Sequence, residues 1–200
     1  MHASGHRPQD FDASYLGTPP WDIGRPQTVF LELAAAGEIH GRVLDVGCGT
    51  GEHALMAAGL GVDATGVDTS PRAIDLAKAK AEKRGLSVRF LVWDALQLAA
   101  LGEHFDTVLD SGLYHVLDDT TRARYVESLK SATLPGPRYF MLCFSDRQPG
   151  DSGPRRVPED EVRASFREGW HIDSLVRKTM DMTVDPQGAQ AWLATITRAA

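Results

Sequence analysis

A short apolar segment followed by three closely spaced glycines is the feature that most constrains how this chain can fold. The segment occupies residues 43–52 and reads V-L-D-V-G-C-G-T-G-E. Its apolar half predicts a buried parallel strand. Glycines between a strand and a helix let the backbone approach a bound molecule closely, and the helix N-terminus offers free amides. The sequence therefore predicts a binding loop between a strand and a helix.

Strand and helix patterns alternate through the first 150 residues. Strands are predicted at 42–46, 62–67, 88–93, 105–109 and 138–144, and helices at 26–36, 52–59, 70–85 and 118–133. Such alternation gives βαβ units, in which a parallel sheet carries helices on both faces. A helix at 159–168 and long strands at 170–182 and 190–197 predict a C-terminal antiparallel hairpin. We expect an α/β fold with a doubly wound, mostly parallel sheet of seven strands.

The length of 200 residues predicts a single domain. We expect an N-terminal arm at 1–25, a binding core at 40–150, and the helix and hairpin at 151–200. A net charge of −6 argues against a nucleic-acid partner, which would need clustered Lys and Arg. No apolar run has the length of a signal peptide or a membrane span, and the two cysteines indicate neither a disulfide framework nor a metal site. We therefore expect a cytoplasmic monomer or homodimer without a metal.

The charge around the glycine loop narrows the choice of ligand. The dinucleotide fingerprint G-x-G-x-x-G would require glycine at position 52, where this chain has Glu52. A carboxylate at the start of the helix would repel a pyrophosphate, and Asp45 adds further negative charge. These residues favour a ligand that carries positive charge over the cofactor of a nicotinamide-dependent oxidoreductase.

The pattern D-x-G-x-G-x-G over residues 45–51 resembles the first motif of class I S-adenosylmethionine-dependent methyltransferases. The cofactor of that family carries an ammonium and a sulfonium and has no phosphate, which agrees with the acidic loop. The resemblance implies a Rossmann-like methyltransferase fold, S-adenosylmethionine as cofactor and S-adenosylhomocysteine as product.

Three later strand ends carry residue types that the same resemblance requires. It implies that Asp68 accepts both ribose hydroxyls, that Asp94 and the Ala95 amide contact the adenine, and that residues 110–117 lie beneath the transferable methyl. It also implies that the Trp21 ring covers the methionine end of the cofactor, since an aromatic face attracts a cation. The residues implied to hold the cofactor are Trp21, Asp45, Gly47, Cys48, Gly49, Gly51, Asp68, Thr69, Asp94, Ala95, Asp110 and Ser111.

Several of these residues also have a purely structural interpretation. Asp45 could anchor loop amides, and Asp94 could be a turn residue at a strand end. Asp68 could cap the next helix, although Ser70 already supplies that cap. Trp21 could simply pack the arm onto the body of the protein.

A narrower resemblance covers more of the chain. Residues 19–27, P-P-W-D-I-G-R-P-Q, look like the N-terminal signature of small bacterial enzymes related to thiopurine methyltransferase. Residues 143–150, C-F-S-D-R-Q-P-G, are similar to a segment of mycobacterial heterocyclic toxin methyltransferases. This resemblance implies detoxification by O-methylation of hydroxyls on small aromatic heterocycles such as hydroxyquinolines.

The expected reaction is an in-line displacement in which the acceptor oxygen attacks the sulfonium methyl. His115 is the candidate general base, because its ordinary pKa of about 6.5 suits the task. Its structural alternative is a buried histidine whose hydrogen bonds are satisfied. Phe11 and Tyr15 could line an aromatic acceptor pocket or pack the arm. The candidate acceptor residues are Phe11, Tyr15, Tyr114, Ser145, Asp146 and Arg147.

Two further functions stay open at this point. One is S-methylation of thiopurines, other thiols or reduced chalcogens, for which no general base is needed because a thiolate is already nucleophilic. The other is a non-catalytic module that binds the cofactor without turnover.

Overall fold

The computed structural model describes residues 8–200, with side chains from Phe11 onward, so residues 1–7 of the predicted arm lie outside the described residues. Six α-helices are α1 (Pro8–Ser14), α2 (Thr28–Ala35), α3 (Glu52–Gly59), α4 (Pro71–Arg84), α5 (Asp119–Ser131) and α6 (Glu159–Ser165). Seven strands are β1 (Arg42–Val46), β2 (Asp63–Asp68), β3 (Arg89–Val92), β4 (Thr107–Ser111), β5 (Arg138–Phe144), β6 (Trp170–Met180) and β7 (Ala189–Arg198).

The seven strands form one sheet in the order β3-β2-β1-β4-β5-β7-β6. The first five strands are parallel, and β7 runs antiparallel to both β5 and β6. The predicted α/β fold with a C-terminal hairpin is therefore confirmed. The later strand of the hairpin, β7, is the one that pairs with the parallel part of the sheet.

Apolar side chains on both faces of the sheet are buried under helices. On one face, Leu44 and Val46 pack in a cluster with Tyr125 and Leu129 of α5. On the other face, Val43 and β5 residues pack with Phe30 of α2. Because alternate residues of a strand point to opposite faces, the continuous apolar runs of β1 and β5 are explained by this double burial.

The register of the parallel strands brings their carboxyl ends to one edge of the sheet. Val46, the last residue of β1, is paired with Val67 of β2 and with Asp110 of β4. Ser111, the last residue of β4, is paired with Leu142 of β5. The glycine loop after β1 and the segments after β2 and β4 therefore meet at the edge where open α/β sheets bind ligands.

Local structure differs from the sequence expectations in three places. The arm contains the helix α1, and β4 starts at Thr107, two residues later than predicted, so Asp110 and Ser111 belong to the strand. A 3-10 helix at Ala95–Leu101 was not predicted; it begins where the Asp94 side chain accepts a hydrogen bond from the Leu96 amide.

Across residues 8–200, no helix is long and apolar enough to span a membrane.

Candidate active site

The glycine loop needs glycine at Gly51 for packing as well as for conformation. Gly51 has φ of +84°, and an added Cβ would lie only 2.6 Å from Phe90 Cζ. Gly49 has φ of +52°, and its added Cβ would lie 2.8 Å from the Tyr15 hydroxyl. The loop is therefore closely approached from two sides, by β3 underneath and by the N-terminal arm above.

Cys48 is turned into the protein, which corrects its prediction as a cofactor residue. Its amide donates to the Val67 carbonyl at 2.9 Å, and its carbonyl accepts from the Gly51 amide at 2.9 Å. The thiol packs with Phe90 in a buried cluster, and burial raises its pKa. Both backbone groups and the side chain thus stabilise the loop itself.

Asp45 lies fully buried beneath the loop. Its Oδ2 accepts a hydrogen bond from the Ala54 amide at 3.1 Å, which fixes the first turn of α3 on the end of β1. Its Oδ1 lies 3.9 Å from His53 Nδ1. Burial raises the pKa of Asp45 to about 8, although the Ala54 hydrogen bond lowers it. The Ala54 contact corresponds to the anchoring interpretation of Asp45.

Glu52 does not present an unbalanced charge to the loop, so that part of the sequence argument was wrong. Its carboxylate forms a pair of hydrogen bonds with Arg84 at 2.8 and 2.9 Å, and Lys80 Nζ lies 2.8 Å away. Burial raises the pKa of Glu52, but the bonds from Arg84 and Lys80 outweigh it and lower the pKa overall. Two cations from α4 thus neutralise this carboxylate.

Asp68 ends β2 next to the glycine loop, at the predicted ribose position. Its Oδ2 accepts from the Gly49 amide at 2.9 Å and its Oδ1 from the Ser70 amide at 2.8 Å. Burial raises its pKa. The cap of α4 is the Ser70 hydroxyl, which accepts from the Ala73 amide, as the sequence predicted. The Thr69 amide is a further donor to this carboxylate, which still has lone-pair capacity for a ligand hydroxyl.

Asp94 and Ala95 follow β3 at the predicted adenine position. Asp94 Oδ1 caps the 3-10 helix through the Leu96 amide at 2.9 Å, and Oδ2 accepts from Gln97 Nε2 at 3.3 Å. The cap corresponds to the structural interpretation of Asp94. Both residues are half-buried, as are Ser111 and Gly47, while Thr69 is exposed beside Asp68.

Asp110 is inaccessible, which corrects its prediction as a cofactor residue. Its Oδ2 accepts from the hydroxyls of Tyr125 at 2.9 Å and Tyr139 at 2.7 Å. Its Oδ1 accepts from the amides of Leu113 at 2.9 Å and Tyr114 at 3.4 Å. Burial raises the pKa of Asp110 to about 6 despite these four donors. The carboxylate therefore organises the core and the loop after β4.

His115 follows β4 within a short 3-10 helix and is buried. Its Nδ1 accepts a hydrogen bond from the Phe144 amide at 2.8 Å, and its ring meets the Phe144 ring edge-on at 4.8 Å. Burial lowers the pKa of His115 to about 3, with a contribution from the charges of Arg156 and Arg122. A neutral ring with an accepting Nδ1 carries its hydrogen on Nε2. The geometry therefore makes His115 a hydrogen-bond donor and corrects its prediction as a general base.

The Nε2 atom of His115 lies beside Gly112 at the end of β4. An added Cβ at Gly112, where φ is +89°, would lie 3.2 Å from this nitrogen and 3.9 Å from Met180 Cε. The other ring nitrogen, Nδ1, is engaged by the Phe144 amide. The Nε2–H group therefore faces the space beside Gly112, at the carboxyl end of β4.

Tyr114 points away from this edge, which corrects its prediction as an acceptor residue. Its hydroxyl donates to Ser165 Oγ at 2.7 Å, and its ring stacks on Phe166 at 5.9 Å and lies 4.7 Å from the Arg122 guanidinium. Burial raises its pKa to about 12. Tyr114 fixes α6 to the sheet.

The arm brings three aromatic rings together over the glycine loop. Trp21 meets Phe11 at 5.9 Å and Tyr15 at 6.3 Å, both edge-on, and Trp21 Nε1 donates to the Tyr15 hydroxyl at 3.0 Å. Burial raises the pKa of Tyr15, and the nearby charge of Asp68 adds to this. Tyr15 thus lies between Trp21 and the loop that the sequence assigns to the cofactor.

Polar contacts that the sequence analysis missed attach the arm to α4 and to the loop. Asp12 accepts from the Ser70 hydroxyl at 2.7 Å and pairs with Arg72. Asp22 accepts from the Thr50 hydroxyl at 2.8 Å, and Thr50 in turn accepts from Lys80 at 2.6 Å. In the sequence, Asp12 and Asp22 were visible only as acidic residues in a segment predicted to be irregular, and nothing there indicated their partners.

The segment after β5 forms one wall of a surface groove of about 260 Å³. Ser145 and Arg147 line this groove together with β6 and β7, and Asp146 and Arg147 are exposed. The Ser145 hydroxyl is buried and donates to the Gln190 carbonyl at 3.1 Å. Its prediction as an acceptor residue is therefore corrected, because the hydroxyl is already used to fix β5 to β7.

The residues at this edge fit S-adenosylmethionine better than a ligand with phosphates. The nearest cations, Lys80 and Arg84, are engaged by Glu52, so they are not free to bind phosphate oxygens. Asp68 can accept hydroxyls, and the arm supplies aromatic rings for a cation. Across the described residues, no three His, Cys, Asp or Glu side chains are grouped as metal ligands.

Comparison with known proteins decides the family. A family model described as a methyltransferase domain matches residues 43–136, from β1 to the turn before β5. A 2-heptyl-1-hydroxyquinolin-4(1H)-one methyltransferase of Mycobacteroides abscessus is 38% identical over an alignment 176 residues long, which covers 82% of this chain and 78% of that protein. The chain belongs to the class I S-adenosylmethionine-dependent methyltransferases.

Solved structures of methyltransferase fold agree with this assignment. One, from work on the conversion of a disulfide bond into a thioacetal group during echinomycin biosynthesis, is 40% identical with a TM-score of 0.89 and covers 96% of this chain and 93% of its own. The N-methyltransferase NodS of Bradyrhizobium japonicum, at 20% identity and a TM-score of 0.75, covers 96% of this chain and 98% of its own and shares the fold.

Proposed function

We propose that this methyltransferase transfers a methyl group from S-adenosylmethionine to the hydroxyl oxygen of a small aromatic heterocycle of the hydroxyquinolinone type. The observation that carries the proposal is the 38% identity with the hydroxyquinolinone methyltransferase across most of both chains. The shared length includes the strand ends at which the candidate site lies.

The donor supplies an electrophilic methyl on a sulfonium. The chain's own contribution is to hold the two reactants in line and to exclude water. The residues proposed to hold the donor are Trp21, Gly47, Gly49, Gly51, Asp68, Thr69, Asp94, Ala95 and Ser111. Asp45 is proposed to act on the donor through the first turn of α3, which it anchors. In this proposal Asp68 accepts the ribose hydroxyls, and the rings of Tyr15 and Trp21 cover the charged end.

His115 has a different part in the proposed reaction from the one predicted from sequence. Its Nδ1 is held by the Phe144 amide, so the proton stays on Nε2. We propose that Nε2–H donates to the acceptor oxygen and stabilises its anionic form. A preorganised donor in a site shielded from water is effective at stabilising developing or existing charge on oxygen.

The residues around Nε2 suit a flat acceptor ring. Phe144 and Met180 are buried and apolar, and Gly112 leaves open the space that a side chain would fill. Phe11, which packs against Trp21, and the exposed Arg147 remain proposed acceptor residues. Asp146 beside Arg147 is proposed to hold a polar edge of the acceptor.

A sulfur acceptor is the second candidate. It is favoured by the 40% identical protein, whose structure was solved in work on a reaction at a disulfide bond. The neutral, donating state of His115 is compatible with it, since a thiolate attacks without a general base.

The deciding experiment uses labelled S-adenosylmethionine with a matched set of acceptors on one ring system. The set contains a 1-hydroxyquinolin-4-one, the same ring without the hydroxyl, and the corresponding thiol. We expect label on the hydroxylated compound and none on the unsubstituted ring. Label on the thiol alone would establish the second candidate, and label on none of the acceptors would refute both.

The biological role that we propose is protection against heterocyclic toxins by a cytoplasmic enzyme. Methylation replaces an acidic hydroxyl by an ether, which removes its ability to donate a hydrogen bond or to bind metal ions. Expression in a bacterium that is sensitive to hydroxyquinolinones should raise its tolerance. Unchanged tolerance in cells that contain active enzyme would contradict the protective role.

A further inference from the structure

Gln27 and Asp181 join the start of α2 to the end of β6 through a buried contact. The Gln27 side chain is 2% exposed. Its Nε2 donates to the Asp181 carbonyl at 3.0 Å, and its Oε1 accepts from the Asp181 amide at 2.6 Å. The side-chain amide of Gln27 thus forms both hydrogen bonds that a neighbouring strand would form with the backbone of residue 181.

The Asp181 side chain completes this contact from the other direction. Its Oδ2 accepts from the Thr28 amide at 3.1 Å, the Thr28 hydroxyl at 2.8 Å and Arg25 Nη1 at 3.0 Å. Gln27 stands at the N-cap of α2 but makes no capping bond. The cap is supplied instead by Asp181, which lies 153 positions away from Thr28. We call residues 25, 27, 28 and 181 the Gln27–Asp181 clamp.

The clamp lies between two parts of the proposed acceptor site. Met180, the residue before Asp181, has its Cε close to Gly112 and to the Nε2 side of His115. Two residues beyond Asp181, the Thr183 amide donates to the Pro20 carbonyl at 2.9 Å, which fixes the turn before Trp21. One contact therefore sets the position of a pocket wall and of the aromatic arm together.

We propose that Gln27 and Asp181 are positioning residues for the methyl acceptor. They hold Met180 and the Trp21 turn at the spacing that the acceptor ring needs, without touching either reactant. This inference rests on the proposed function, because it refers to the same acceptor site. Arg25 and Gln27 are the two residues of the segment 19–27 that contact Asp181.

A second tie between α2 and β6 provides a control. Lys178 Nζ lies 2.6 Å from the Glu32 carboxylate, and the Glu32 side chain is 55% exposed. This ion pair joins the same two elements as the clamp but contacts neither the arm nor Met180. If the clamp did no more than fasten the hairpin to α2, breaking the Lys178–Glu32 pair should have the same effect as breaking the clamp.

The test compares Gln27→Glu with Glu32→Gln in the full-length enzyme. The Q27E change keeps the acceptor for the Asp181 amide but replaces the donor with an oxygen facing the Asp181 carbonyl. We expect kcat/KM for the acceptor to fall roughly 10- to 100-fold, since small misplacements of reactants cost rates of that order. The dissociation constant of S-adenosylmethionine should change by less than about twofold, and E32Q should match the wild type in both measurements.

Hydrogen exchange supplies a readout that does not depend on turnover. Q27E should speed amide exchange in residues 18–28 and 181–184 and leave β1–β4 unchanged. Arg25→Gln is a milder second variant, since that side chain is half exposed, and it should shift acceptor kinetics in the same direction. If the wild type methylates no hydroxylated or thiol acceptor, the proposed function fails, and the exchange data still report on the clamp.

Two results would overturn the proposal. In the first, Q27E has the same acceptor kinetics as E32Q, and R25Q has the same acceptor kinetics as the wild type. In the second, Q27E lowers acceptor kinetics and cofactor affinity to the same extent and also speeds amide exchange throughout the sheet. That result would mean that Gln27 only stabilises the fold.

Discussion

The amide of Phe144 donates a hydrogen bond to Nδ1 of His115 at 2.8 Å, across 29 positions of sequence. This contact ties the loop after β4 to the last residue of β5. It also fixes which nitrogen of the ring carries the proton. The chemistry available to the most prominent histidine of the chain is therefore set by a backbone group of a neighbouring strand.

The tautomer of His115 can be measured directly. We expect nitrogen NMR to show a neutral ring protonated at Nε2, and to show no protonation of the ring down to about pH 4, since burial lowers its pKa to about 3. The exposed His171 serves as an internal reference in the same spectrum. A ring that is protonated at Nδ1, or that takes up a proton near pH 6, would contradict the assignment.

Replacement of His115 should show whether its side chain acts as a hydrogen-bond donor or as a general base. In His115→Asn, the side-chain oxygen can still accept from the Phe144 amide, whereas in His115→Ala that amide loses its partner. We expect H115N to lower kcat by about tenfold, the value of one hydrogen bond, rather than by the 10²–10⁴ typical of a lost general base. Cofactor affinity, measured by calorimetry, should stay at the wild-type value in H115N. A fall in kcat of more than a thousandfold in H115N would instead support His115 as the general base.

The pH dependence of turnover should follow the acceptor and not the enzyme. Because burial lowers the pKa of His115 to about 3, its ring does not act as a base near neutral pH in the proposed reaction, and we expect only the ionised acceptor to be methylated efficiently. We expect log kcat/KM to rise with unit slope and to level off at the acceptor's own pKa. The break should move when a more acidic hydroxyl is used. A break at one fixed pH for every acceptor would show that an enzyme group is titrating.

Replacement of the Asp110 carboxyl should destabilise the protein because it disturbs the four hydrogen bonds that this group accepts. Asp110→Asn places an amide nitrogen or a weaker acceptor against the hydroxyls of Tyr125 and Tyr139, and we expect a loss of about 2–3 kcal/mol in the free energy of unfolding. Denaturant titration measures it. Asp75→Asn, at an exposed position on α4, is the matched control and should be neutral.

The same residue should affect how stability varies with pH. Burial raises the folded-state pKa of Asp110 to about 6 from 3.8, so the folded chain binds more protons than the unfolded chain between these values. The contribution of Asp110 to stability is therefore greatest below pH 4 and falls as pH rises through 6. The stability curve of D110N against pH should lack this fall, and a D110N curve parallel to that of the wild type would contradict the raised pKa.

The attachment of the arm should affect cofactor binding. Asp22→Asn weakens the acceptor for the Thr50 hydroxyl, a bond that holds Trp21 and Tyr15 over the glycine loop. We expect the dissociation constant of S-adenosylmethionine to rise by about fivefold, in line with one hydrogen bond. Thr18→Ala, exposed on the same arm, should leave it unchanged. Equal affinity in D22N and the wild type would show that the arm does not contribute.

The strands and the glycine loop could be predicted because their signals are local. An apolar run, a glycine cluster, a Ser-Pro helix start at residue 70 and a glycine stop at residue 85 each act within a few residues. The hairpin was predictable for the same reason, since β6 and β7 flank a turn containing Pro186 and Gly188.

The direction of polar side chains could not be predicted in the same way. Asp110 and Tyr114 belong to a segment that the family resemblance places at the methyl, yet each points into the core. What turns them inward are partners on other elements, the hydroxyls of Tyr125 and Tyr139 and the hydroxyl of Ser165. Such partners become visible only when the strands and helices are assembled.

Long-range pairs were equally hidden. Gln27 and Asp181 are 154 positions apart, and neither lies in a pattern that indicates burial. Glu52 shows the opposite error, because its charge was read without Lys80 and Arg84, which one later helix brings beside it.

The position of β7 also has a consequence for the order in which the chain becomes complete during synthesis. This strand is made after β6 but lies between β6 and β5 in the sheet. While residues 189–198 are still missing, the ribosome-bound chain has an unpaired edge along β5, from Arg138 to Phe144, and β6 has no neighbour. An unpaired strand edge can pair with another molecule, and a chaperone that shields the β5 edge would act before β7 joins the sheet.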